Sequence, residues 1–141
     1  MLDLMKRQSV DLLIDHFWKN GYLTISRKFG TYLPEPQRMG GFDVDVIARY
    51  KKDYAIGITL NEQDLNYPGL RQKIQFLATR QTKFTNKRVL LFLGIPDSLR
   101  KKIEFIISTL DENILKNIKI QHLNLDLKSP DKTKKKNALL N

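Results

Sequence analysis

The fold turns on Gly41-Phe42-Asp43-Val44-Asp45-Val46-Ile47-Ala48-Arg49-Tyr50. Residues alternate along it, with Phe42, Val44, Val46 and Ala48 on one side and Asp43, Asp45, Ile47 and Arg49 on the other. A period of two is that of a strand with one buried face. Lys51-Lys52-Asp53 is a polar turn, and Tyr54 to Leu60 is nearly all apolar, as a strand covered on both faces would be. The two strands predict a hairpin whose second arm lies deep in a sheet.

On the N-terminal side, residues 2–20 predict an amphipathic helix. Val10, Leu13, Ile14, Phe17 and Trp18 recur at spacings of three and four and are expected in the core. Asn20-Gly21 stops the helix, and Tyr22 to Ser26 predicts a short strand. The stretch from Arg27 to Gly41 holds Pro34, Pro36 and three glycines without periodicity, so it is a loop. It carries Arg38, which can approach a phosphate backbone or contact a second copy. On the C-terminal side, Pro68 marks a helix start, with Leu70, Ile74, Leu77 and Ala78 inward. Arg88 to Leu93 predicts a buried strand, Leu99 to about Leu110 a helix, and Ile118 to Leu125 a last strand. The order α-β-β-β-α-β-α-β predicts an α/β domain over residues 1–127, a three-layer unit with a central mixed sheet flanked by helices. Residues 128–141 read as a separate basic, disordered tail.

A chain of 141 residues can bury a core without disulfides or structural metal. The absence of cysteine excludes thiolate zinc sites and thiol catalysis, and fits a reducing compartment, so a cytoplasmic location is expected. No apolar run approaches a membrane span, and no membrane partner is expected. The net charge of +10 points to a polyanionic partner. From Lys128 onward five lysines stand against Asp131, a net +4, which leaves +6 on the rest of the chain. Arg71, Lys73, Arg80, Lys83, Lys87 and Arg88 cluster between the central helix and the following strand. With Arg38 they are either a phosphate-facing surface or a solvated basic face.

The element order, Gly21-Tyr22, the stretch Phe42 to Ala48 and the buried strand after it resemble the restriction-endonuclease-like superfamily, the PD-(D/E)XK nucleases, over roughly residues 5–122. Small Holliday-junction-resolvase-like members are the nearest in look. The resemblance implies Mg²⁺-assisted phosphodiester cleavage, in which an acid pair grips the metal and a lysine steadies the attacking water and the phosphate. Asp45 falls at the position of the metal-binding Asp, Gly57 where the family has Glu or Asp, and Thr59 where it has Lys. Family members also carry a Glu on the first helix, about eleven residues before its terminal Gly, which here gives Val10 or the adjacent Asp11. A glycine cannot hold a metal and a threonine carries no charge.

Three readings follow. The first is a nucleic-acid-binding protein, for DNA, with a degenerate or lost catalytic site. The second is an active Mg²⁺-dependent endonuclease or junction resolvase with a migrated site. There Asp45, Glu62 and Lys73 would be catalytic, Asp45 and Asp43 would hold the metal, and Asp64 and Arg71 would be reserves. The third is a non-catalytic interaction module. Asp11 and Asp15, with Arg7 and Lys19 at helical spacing, read as a solvated face with ion pairs. His16 and His122 read as ordinary surface or core-edge residues. The resemblance also implies a homodimer, since compact resolvase-like proteins pair.

Overall fold

The computed structural model of the protein describes residues 2–125. The tail assigned to residues 128–141 lies outside the described residues. Helix α1 (Leu2–Lys19) leads into strand β1 (Leu23–Arg27), and β2 (Val46–Tyr50) and β3 (Asp53–Thr59) form the expected hairpin. The short helix α2 (Glu62–Leu65) and helix α3 (Leu70–Ala78) precede β4 (Leu90–Ile95). A 3₁₀ turn at Asp97–Leu99, α4 (Arg100–Ile107), α5 (Glu112–Leu115) and β5 (Ile118–His122) complete the domain.

The five strands lie in sequence order in one sheet. Strands β1, β2 and β3 pair antiparallel, whereas β3, β4 and β5 pair parallel, so the sheet is mixed, as expected. Parallel neighbours need a crossover, and α2–α3 and α4–α5 supply the two crossovers here. One face is covered by α1, whose Val10, Leu13 and Phe17 are fully buried with Val46, Ala48, Ala55 and Phe92. The other holds Ile74 and Leu77 of α3 and Ile103 of α4 against Ile56, Ile58, Leu91 and Leu93. Each such side chain contributes on the order of 1.5–3 kcal/mol of burial.

Several local expectations change. Phe42 to Asp45 are not in the strand, which starts at Val46. Gly40 and Gly41 take positive φ, and Met39 and Phe42 pair across that turn. Phe42 then packs on Phe76 of α3, with ring centroids 5.5 Å apart, and this draws it out of the ladder. Trp18 is 66% exposed rather than in the core. The stripe that meets the sheet runs through Val10, Leu13 and Phe17, and one further residue rotates the side chain about 100° away from it. Helix α2 has its own signal in Asn61-x-x-Asp64. Asn61 Oδ1 accepts from the Asp64 amide and Asp64 Oδ2 from the Asn61 amide, each at 2.8 Å. Among the described residues, no helix is long and apolar enough to cross a membrane.

Candidate functional site

Lys6, Val10, Leu13 and Phe17 lie on one face of α1, at spacings of four, three and four. The last three are core, so the stripe carries Lys6 over the ends of β2 and β3. There its ammonium donates to Asp45 Oδ2 at 2.9 Å and to the Thr59 carbonyl oxygen at 2.9 Å. Asp45, one residue before β2, has a side chain only 4% exposed. The same Oδ2 accepts from the Thr59 amide at 2.7 Å and from the Thr59 hydroxyl at 3.0 Å. A buried carboxylate is tolerable only when paired and hydrogen-bonded, and Asp45 is both.

Lys73 stands on α3 and feels the charge of Asp45. Burial pushes its ammonium below the ordinary lysine value, with Asp45 opposing the shift, Lys6 adding to it, and Asp43 and Asp64 also opposing it. It is half-buried and, among the described residues, makes no ion pair. Lys6 is thus the cation paired with the Asp45 carboxylate, while Lys73 makes no ion pair among the described residues.

Asp43 does not share a site with Asp45. It is exposed and turns to Arg38 at 3.3 Å and Lys28 at 3.9 Å, because residues 42–45 are not an extended strand and the alternation fails there. Glu62 lines a cleft with Lys6, Ser9 and Thr59, but its carboxylate goes to Lys102 at 3.0 Å. The Asp64 carboxylate is occupied by the α2 cap. Asp11 pairs with Arg27 of β1 rather than with Arg7, while Asp15 pairs with Lys19 as expected. Thus Asp45 is paired with Lys6 and Glu62 with Lys102, and Lys73 makes no ion pair with either among the described residues.

The ligand cradle implied by Mg²⁺ chemistry is not assembled from these residues. A Cβ at Gly57 would stand 2.7 Å from Leu13 Cδ2 and 3.0 Å from the Phe17 ring. Hydrophobic core of α1 therefore fills the space into which a second carboxylate would project. The Lys6 ammonium holds the Asp45 oxygen that a cation would share, and a lone carboxylate is a poor ligand set for Mg²⁺. None of the family models matches the chain, and neither a curated protein nor a solved structure matches it significantly.

The basic residues expected to form one surface have different partners. Arg71 donates to the Thr109 hydroxyl at 2.8 Å, tying α3 to the end of α4. Arg88 donates to the Asn113 carbonyl oxygen at 2.8 Å, Lys87 pairs with Asp53, and Arg38 also donates to the Gly41 carbonyl oxygen. The Arg80 guanidinium lies over Phe76, 3.6 Å from the ring centroid, and Lys83 is exposed in the loop that follows. The two histidines sit at the core edge. His16 packs beside Phe17 and Phe92, and burial lowers its pKa, while His122 lies 3.6 Å from Asp97.

Lys6 and the double role of Thr59 are what reading the sequence missed. A signal for Lys6 was present, a charged residue one turn before the apolar stripe and in line with it. Lysine stems lie readily along such a stripe while the ammonium reaches a polar partner. Nothing in the sequence singled out Thr59 as a donor to Asp45, because that contact closes between separate strands.

Proposed function

We propose that this protein binds nucleic acid, in the first instance DNA, on a nuclease-like scaffold that holds phosphates without cutting them. The observation that carries the reading is the half-buried Lys73, which makes no ion pair among the described residues. Asp45 is taken by Lys6, Asp43 by Arg38 and Lys28, and Asp64 by the α2 cap, so the Lys73 charge is left without a carboxylate of its own among the described residues. A phosphate oxygen is the anion that the chain's overall charge of +10 favours. The resemblance to PD-(D/E)XK nucleases supports the choice of nucleic acid. The filled space over Gly57 supports holding over cleavage.

The test is incubation with labelled duplex, single-stranded and branched DNA, with Mg²⁺, Mn²⁺ or EDTA, read for both cleavage and gel shift. A salt-sensitive shift without cuts, weakened in Lys73→Ala, is expected. Metal-dependent cuts that vanish in Asp45→Ala would instead establish the endonuclease reading, with Glu62, in the same cleft as Lys6, as the next acid to substitute. No shift with any nucleic acid at low salt refutes binding.

A further inference from the structure

A second feature lies away from Asp45, on the sheet face that carries α3. The chain between α3 and β4 folds back on itself, with Gln81 bridged to Arg88. Thr82 holds this loop, accepting from the Lys87 amide at 3.2 Å, and Asn86 takes positive φ. Phe84 at the tip is 95% exposed. Hiding one apolar ring is easy in a loop of this size, and this loop instead presents it to solvent. Beneath it is a cleft of about 510 Å³, with Ile47, Tyr54 and Val89 among its lining residues. Lys52, Arg80 and Lys83 also line it, and none of the three has a carboxylate partner among the described residues. Arg80 is fixed in place, stacked on Phe76 and donating to its carbonyl oxygen at 2.8 Å.

Aromatic faces beside cations suit an occupant that is flat, apolar on its faces and anionic along its backbone. A run of Asp and Glu meets the charge but offers no flat ring. A duplex meets the charge but keeps its base faces stacked inside the helix. An unpaired nucleotide offers both. We infer that this cleft takes an unpaired base, against Phe84 or Tyr54, with flanking phosphates on Lys52, Arg80 and Lys83. The inference rests on the nucleic-acid reading above and refines it. The bound form is single-stranded, or is a structure with unpaired nucleotides at a junction or end.

Fluorescence anisotropy with labelled oligothymidylate and with a duplex of the same length tests this in native protein, Phe84→Ala, Phe84→Tyr and Lys83→Ala. Phe84 is almost fully exposed, so its truncation leaves the fold intact, and circular dichroism checks that. Phe84→Ala should weaken oligothymidylate binding roughly 5- to 150-fold, the effect of losing one stacked base. Duplex binding should be unchanged, and Phe84→Tyr should restore the single-strand affinity. Lys83→Ala should lower the salt slope for the single strand by about 0.7, as for one lost phosphate contact. If native protein binds DNA but Phe84→Ala affects neither form, or both equally, the cleft is not the single-strand site and the nucleic-acid reading still stands. If native protein binds neither form, both fall. Displacement of oligothymidylate by polyglutamate at equal charge concentration would make the cleft a site for acidic chains and overturn the inference.

Discussion

The Lys6 ammonium lies 2.9 Å from Asp45 Oδ2, so the first helix is tied to the ends of β2 and β3 by a charge pair that no local pattern requires. Removing the cation leaves a buried carboxylate with only the Thr59 donors. Lys6→Met, which keeps most of the apolar stem, should lose about 1–3 kcal/mol of stability. Combining it with Asp45→Asn should cost less than the two changes added together, by roughly 0.5–3 kcal/mol. Urea unfolding of the four proteins measures this, and strict additivity would mean the pair contributes nothing.

Gly57 is small because α1 packs directly over it. Gly57→Ala places a methyl 2.7 Å from Leu13 Cδ2 and should cost about 1–3 kcal/mol as overpacking. Gly57→Glu should cost more, since it also buries a charge. The penalty of Gly57→Ala should shrink in a Leu13→Ala background, where the space is open. Thermal melts of the set distinguish this from a backbone effect, which Leu13→Ala would not relieve.

Lys73 makes stability depend on pH at the alkaline end. Burial disfavours its charged form in the folded state, so the folded protein releases that proton before the unfolded chain does. Below the lowered folded pKa both states are charged and the folded state carries the full desolvation cost. That cost is relieved as pH rises from the lowered value to the ordinary 10.5. Lys73→Met should therefore be more stable than native protein near neutral pH, and its advantage should disappear above about pH 10.5. A constant advantage across that window, in denaturant titrations, would remove Lys73 as the cause.

Asn117 is buried before β5 and its Nδ2 donates to the Ala78 carbonyl oxygen at 2.8 Å and to that of Val89 at 2.7 Å. It thus joins the end of α3 to the entry of β4. Asn117→Ala leaves two carbonyl groups without that donor and should cost about 1–3 kcal/mol. Asn117→Asp should be at least as costly, because a carboxylate cannot donate. A smaller loss in urea unfolding would show that water replaces the amide.

The β2–β3 hairpin and the buried face of α3 were legible because a strand's period of two and a helix's period near 3.6 are local facts. Leu70, Ile74, Leu77 and Ala78 were expected inward and are all buried. The alternation misled at Phe42 to Asp45, where a long-range contact with Phe76 outweighs local pairing. It also misled at Trp18, which borders the apolar stripe but turns to solvent.

By itself the sequence determined the mixed α/β sheet, the order of its strands and longer helices, most of its core and a net positive charge. Those follow from periodicity, turn chemistry and charge, which act between near neighbours or through the whole composition. Only the tertiary structure decided that Asp45 is held by Lys6 and Thr59, that Asp43 and Glu62 go to other cations, and that Phe84 stands over a cation-lined cleft. Each of those depends on side chains from distant segments meeting within a few ångströms, and that distance is set by how helices and strands pack rather than by their spacing along the chain.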